Sequence, residues 1–166
     1  MTMTLVETIT LTSSAASIEF TSIPQDGTDL VLLVSLRNSA GNSIHYLELN
    51  GDTTSGNYVS RMLTGNGANV YSYTLNKNML LTTYSPDTAN TFGNQAIYLP
   101  NYADSSSYQS ISLDASNENN GTYVTGNAIT AGVWNNNAAV TSIKLQSQDN
   151  WVAGSSASLY KITKAA

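Results

Sequence analysis

The sequence predicts an all-β fold: an antiparallel β-sandwich with jelly-roll-like winding, with an immunoglobulin-like Greek key as the alternative. Three observations carry the prediction. Short stretches of alternating or continuous apolar residues follow one another down the chain, separated by Gly, Asn, Asp and Pro, and none has the spacing of an amphipathic helix. Ser, Thr and Asn number 22, 20 and 19; Ser and Asn compete with helical hydrogen bonds and Thr is β-branched, so this composition suits strands joined by polar turns. Finally, Asp29 to Arg37 reads Asp-Leu-Val-Leu-Leu-Val-Ser-Leu-Arg, an apolar run bounded by Pro24 and Gly27 upstream and by Asn38 and Gly41 downstream. A run of that length is too short to span a membrane and fits a central strand covered on both faces.

Taken in order, Thr4 to Leu11 alternates, with Leu5, Ile9 and Leu11 on one face and Glu7 breaking the apolar row. That pattern predicts an edge strand in which an inward charge blocks unwanted pairing. Ala16 to Phe20 forms a second short strand, and the Pro24 to Asp29 turn leads into the central run. Ser43 to Leu49 closes on Asn50-Gly51, a dipeptide suited to the positive φ of tight hairpin turns. Tyr58 to Thr64 follows, then the Gly65-Asn66-Gly67 turn, then two weaker strands at Val70 to Leu75 and Met79 to Thr83. Tyr84 to Asn94 reads as a loop, and Gln95 to Leu99 as a strand stopped by Pro100. Tyr108 to Ala115 alternates cleanly, and Asn117 to Gly121 is a turn or wider loop. Tyr123 to Trp134 contains Gly126 and Gly132, which predicts a bent or bulged strand, or two strands. Ala139 to Leu145 and Ala157 to Ile162 end the series, separated by an Asp149 to Ser156 loop. With no solenoid repeat and no linker, residues 1–166 read as a single sandwich domain with a short N-terminal segment.

The chain of 166 residues is long enough for one core, and with no Cys that core must be held by packing and hydrogen bonds. Six basic residues against 11 acidic ones give a formal charge of −5 without a basic stripe, which argues against nucleic acid as a partner. Met-Thr-Met-Thr-Leu-Val-Glu-Thr has neither a basic start nor a long apolar stretch, so no secretory signal is expected, and no membrane span follows. The surface is expected to be polar yet weakly charged, which suits a protein held in an assembly.

Chemistry is sparsely marked, and the chain is expected not to be an enzyme. His45 is the only histidine, and no nucleophile-elbow motif accompanies it, so a hydrolase triad lacks its parts. On its Thr- and Tyr-rich strand it reads as a surface or half-buried residue. One His and no Cys cannot supply a zinc site. Asp26 and Asp29 flank a glycine turn, Asp52 follows Asn-Gly, and Asp114 and Glu118 bracket a polar turn. None has calcium-loop spacing, and all read as turn residues. Gly65 and Gly67 are too common a pattern to mark a phosphate loop, and Asn120-Gly121-Thr122 reads as a turn. No cofactor is expected. Trp134, Trp151 and the ten tyrosines are candidates to stack on sugar rings or to make an oligomer contact, and Met3 and Leu5 are candidates for a partner contact.

Several stretches, taken together, carry a family resemblance: Ser22 to Leu32, Leu49 to Asp52, Asn94 to Tyr102, Ala131 to Asn135 and Val152 to Ile162. They resemble a family of tailed-bacteriophage virion proteins, small β-rich chains found as capsid decoration (cement) or other particle-surface components. The resemblance implies a structural role on the virion: a cement protein, as a homotrimer, seated on the outer surface of the major capsid protein lattice. The alternative is a tail-fibre or receptor-binding component that holds host-surface glycan.

Overall fold

A computed structural model of the chain describes residues 1–40, 45–76, 78–79, 88–117 and 126–164, with 78–79 described by backbone alone. Among these residues the strands are β1 (Thr2–Thr10), β2 (Ala15–Phe20), β3 (Asp29–Leu36), β4 (His45–Leu49), β5 (Tyr58–Gly65), β6 (Val70–Leu75), β7 (Asn78–Met79), β8 (Gly93–Pro100), β9 (Gln109–Asn117), β10 (Gly126–Trp134), β11 (Ile143–Trp151) and β12 (Ser156–Thr163). They pair antiparallel into a wide sheet, β1-β12-β3-β8-β9-β10-β5-β6, and a narrow one, β2-β11-β4-β7.

Eight of these strands form a jelly roll. β1, β2, β3 and β4 alternate between the sheets, β7 and β8 cross back, and β11 and β12 cross again, giving the four-stranded layers β1-β12-β3-β8 and β2-β11-β4-β7. The other four strands are two hairpin insertions. β9–β10 follows β8 and extends the wide sheet, and β5–β6, inserted between β4 and β7, docks onto β10. Half of the wide sheet is thus built from insertions.

The core lies between the layers. Leu30, Leu32, Val34 and Leu36 of β3 point inward, together with Ile97 and Leu99 of β8 and Leu159 of β12. They meet Ile18 and Phe20 of β2, Leu47 and Leu49 of β4, and Ile143 and Leu145 of β11. Each such side chain withdrawn from water contributes about 1.5–3 kcal/mol before the cost of ordering it. A second, small cluster of Met62, Ala115 and Ala128, with Leu75 against it, lies under the insertions.

Several sequence expectations change. The Asp29 to Arg37 strand is not covered on both faces: Leu33 is 42% exposed, because among the described residues no further layer lies on the outward face of the wide sheet. β1 is the predicted edge strand, but its register shifts between Leu5 and Glu7. That bulge turns Glu7 to solvent and flips the phase, so Val6, Ile9 and Leu11 pack on the core while Leu5 faces out. The N-terminal segment is part of the sheet, Thr2 pairing with Thr163. Asn50 and Gly51 do adopt positive φ, 51° and 68°, yet β4 and β5 on either side belong to different sheets, so the turn is a corner rather than a hairpin. β11 begins at Ile143 and runs on through Asp149 to Trp151, where a loop was expected. Predicted features at residues 43–44, 80–87 and 118–125 lie outside the described residues.

β10 is neither bent nor split within Gly126–Trp134, for it keeps unbroken register with both β9 and β5. Its first glycine is needed for a different reason: φ is 74°, and an added Cβ would sit 1.5 Å from the Gly65 carbonyl oxygen. Gly67, at φ 84°, would meet nothing within 4 Å. Gly126→Ala is therefore expected to cost about 1–3 kcal/mol from overpacking in addition to the backbone penalty. Gly67→Ala should cost only the left-handed backbone penalty, about 1–2 kcal/mol. Denaturant midpoints of the two variants, measured side by side, check the order.

Candidate functional site on the outer face of the wide sheet

Strand registers fix which side chains share the outward face. Across β12, β3, β8, β9, β10, β5 and β6 one row reads Tyr160, Val31, Tyr98, Ser112, Ala131, Arg61, Thr74. The next reads Ser158, Leu33, Ala96, Asp114, Ile129, Leu63, Ser72. Leu63 and Ile129 are 47% and 59% exposed, and Met3, Leu5, Val59 and Val70 add to the apolar surface on this same face. Within the two rows the acidic and basic residues are Asp114 and Arg61. The sheet hollows at this place into an open groove of about 630 Å³, floored by Val31, Ala96, Ala131, Leu63 and Ile129 and edged by Tyr98, Arg61 and Asp114. A second hollow of about 260 Å³ continues it past Gly65 and Val70, sharing Leu63, Asp114 and Ile129. A contiguous apolar surface of this kind, rimmed by polar groups, is uncommon on a free monomer and characteristic of a contact site.

One end of the groove is fixed rigidly. Tyr98 donates its hydroxyl proton to Asp29 Oδ2 at 2.7 Å, the Asn101 amide donates to Oδ1 at 3.1 Å, and Lys164 Nζ lies 2.8 Å from Oδ2. Burial pushes the Asp29 carboxyl up, but the lysine, the phenol and the amide outweigh it, and its pKa is lowered overall. The rim tyrosine is thereby held in place. Asp26, across Gly27, is engaged separately by Lys161 at 2.7 Å, so the two aspartates do not converge on a shared ligand. Among the described residues no group of three or more His, Asp and Glu is placed to hold a metal ion. Glu118 and Asn120 to Thr122 lie outside the described residues.

Of the residues singled out in the sequence, Met3 and Leu5 are exposed on the outer face. Trp134 and Trp151 are not contact residues: they are 1% and 0% exposed, each indole being committed to the core. Trp134 Nε1 donates to Asp52 Oδ2 at 2.8 Å and its ring stacks on Tyr58, while the Tyr58 hydroxyl donates to the Asp52 carbonyl and accepts from the Leu49 amide. This cluster fastens the corner after β4 to β10 and β5. Asp52 also accepts from Thr54 and Asn57. Against the opposing effect of burial, the hydrogen bonds from Asn57, Trp134 and Thr54 hold its pKa down to about 2. Trp151 Nε1 donates to the Leu145 carbonyl at 2.9 Å, and its ring lies 4.7 Å from that of His45.

His45 is 1% exposed, not at the surface, because its strand is covered by the wide sheet. Ser147 Oγ lies 3.1 Å from His45 Nδ1 and accepts from Asn38 Nδ2 at 2.7 Å. The spacing is that of a nucleophile and its base, but Ser147 is also buried and the third member is an amide, so the trio serves the core. Burial lowers the His45 pKa to about 4, keeping the imidazole neutral.

The groove residues Arg61, Leu63 and Ile129 were not among the sequence candidates, and Tyr98 was one only as a member of the ten tyrosines. Their signal was present as apolar neighbours in pairs, Leu32-Leu33 and Met62-Leu63, where a strand with one wet face should alternate.

The chain matches no known protein family, no curated protein and no solved structure.

Two outcomes follow from the buried groups. The folded imidazole has a pKa below its unfolded value of 6.5, so its contribution to stability is present above pH 6.5 and is lost as pH falls through 6.5 toward 4. The melting temperature should decline over that window, and less so for His45→Gln. Trp151→Ala should cost about 3–5 kcal/mol by denaturant unfolding, as a core truncation rather than a surface change.

Proposed function

We propose that the chain is a structural docking protein of a repeated assembly, of the capsid-decoration or cement type found on tailed-bacteriophage particles. In this reading it sits on the virion surface, and its partner is the lattice of major capsid protein subunits. The observation that supports the reading is the outer face of the wide sheet: broad, apolar, almost free of charge and hollowed, on a framework with no obvious use for such a surface except contact.

The energetics fit a surface of this form. A partner that binds only the assembled lattice stabilises that lattice by mass action, and many shallow contacts on one particle add through multivalency without any deep pocket. Weak charge keeps the contact from depending on salt. The groove supplies shape, Tyr98, Arg61 and Asp114 supply a polar rim that orients the partner, and Leu63 and Ile129 supply apolar area. The glycan-binding alternative drew on the two indoles and the ten tyrosines; both indoles lie in the core, which leaves Tyr98 as the aromatic ring on the groove rim.

The test uses shells lacking the protein. Purified chain should bind them and raise their disassembly temperature. The double variant Leu63→Asp, Ile129→Asp, altered at exposed positions and expected to keep its melting temperature within a few degrees, should bind at least about tenfold more weakly. Wild-type chain that leaves the shells unchanged, or a double variant that binds as well as wild type, removes this reading.

A further inference from the structure

The wide sheet ends in two edge strands that differ in kind. β1 carries a register shift between Leu5 and Glu7 and places a carboxylate at that break, the usual way of keeping a foreign strand from pairing. β6 has none of these devices. Val-Tyr-Ser-Tyr-Thr-Leu contains no charge, no proline and no glycine, and its register with β5 is unbroken. Val70, Tyr71, Ser72, Tyr73 and Thr74 are all exposed, Val70 at 73%. Six uncharged residues of high β propensity on an edge that pairs with no further strand among the described residues form a template for another strand.

We propose that β6 is the site of self-association, pairing antiparallel with β6 of a second copy across a two-fold axis. Charge permits a second copy to meet the chain at this edge. Overall the chain is at −5, so two copies repel, yet from Thr53 to Pro86 there is no acidic residue while Arg61 and Lys77 are basic. Two copies meeting edge to edge at β6 therefore bring together strands from a segment that carries no carboxylate.

Register follows from the side-chain faces. Val70, Ser72 and Thr74 face outward with Gly65, Leu63 and Arg61, while Tyr71 and Tyr73 face the opposite side with Thr64 and Met62. A two-fold axis perpendicular to the sheet preserves both faces only when positions of like phase oppose each other. Centring it on Ser72 sets Ser72 against Ser72 of the second copy, Val70 against Thr74, and Tyr71 against Tyr73. The two tyrosine rings of one strand already stack, with centroids 6.3 Å apart. In the pair, four such rings form one ladder, and cross-strand aromatic pairs are among the stabilising contacts of sheets. The two wide sheets become one continuous sheet. An isologous contact closes on itself and does not propagate into a fibre.

This inference sets a two-fold pair in place of the homotrimer that the family resemblance implies; it concerns strand pairing at the sheet edge, whereas the capsid reading rests on the groove, and the two are tested by different measurements. The chain has no cysteine, so a single introduced thiol reports on its own position. Residues directly opposed in an antiparallel pair have Cα atoms about 4.5–5.5 Å apart, within the span of a disulfide. Ser72→Cys should oxidise to a covalent dimer at least about tenfold faster than Thr4→Cys on β1, and Val70→Cys alone should not, whereas Val70→Cys with Thr74→Cys should. Light scattering should give wild type the mass of two chains, and Tyr73→Lys, a surface change that places like charges in the contact, should return it to one. A monomeric or trimeric wild type, or Ser72→Cys crosslinking no faster than Thr4→Cys, overturns the inference whether or not shells are bound.

Discussion

One sheet of this protein is twice as wide as the layer that covers it. The narrow sheet has four strands, one of them only two residues long, and the wide sheet has eight. Packing between the layers is therefore concentrated on the jelly-roll half, where β3 sets its inward row of leucines and Val34 against β2, β4 and β11. The other half of the wide sheet is assembled from hairpins and keeps a smaller cluster of its own. The buried core lies where the two layers face each other, and the apolar groove lies on the opposite face of the wide sheet.

The corner clusters show how the two layers are kept in register. Asp52, Trp134 and Tyr58 tie the end of β4 to the inserted strands, and Arg37 donates to the Thr88 and Thr91 carbonyls to hold the approach to β8. Asn50, at positive φ, accepts from the Thr141 and Ser142 amides, so the turn after β4 is clasped to the approach to β11. These are polar groups satisfied at the edges of an apolar sandwich, and each would be costly to strand without its partner.

Strand existence was legible in the sequence because alternation and turn chemistry are local. Val70 to Leu75 has the bounds read from the chain alone, and the positive φ of Asn50-Gly51 follows from residue type. What stayed hidden was non-local. The phase flip in β1 comes from a bulge that depends on pairing with β12. The rank of Trp151 as core rather than surface depends on β11 running six residues beyond the Leu145 at which the sequence reading ended the strand. The groove could not be read at all, because it is defined by Arg61, Tyr98, Asp114 and Ile129 on four strands whose order in the sheet, β8-β9-β10-β5, is not their order in the chain.

That order has a consequence for assembly during synthesis. β5 leaves the ribosome with β6 as its hairpin partner, but its other neighbour is β10, and Tyr58 cannot find its register until Trp134 has been made. The first insertion must therefore wait, one flank bare, while β7, β8 and β9 are translated. Local hairpins form early and long-range pairings late. Docking β5 onto β10 joins the two insertions into a single surface, so the groove cannot be complete until β10 has been made.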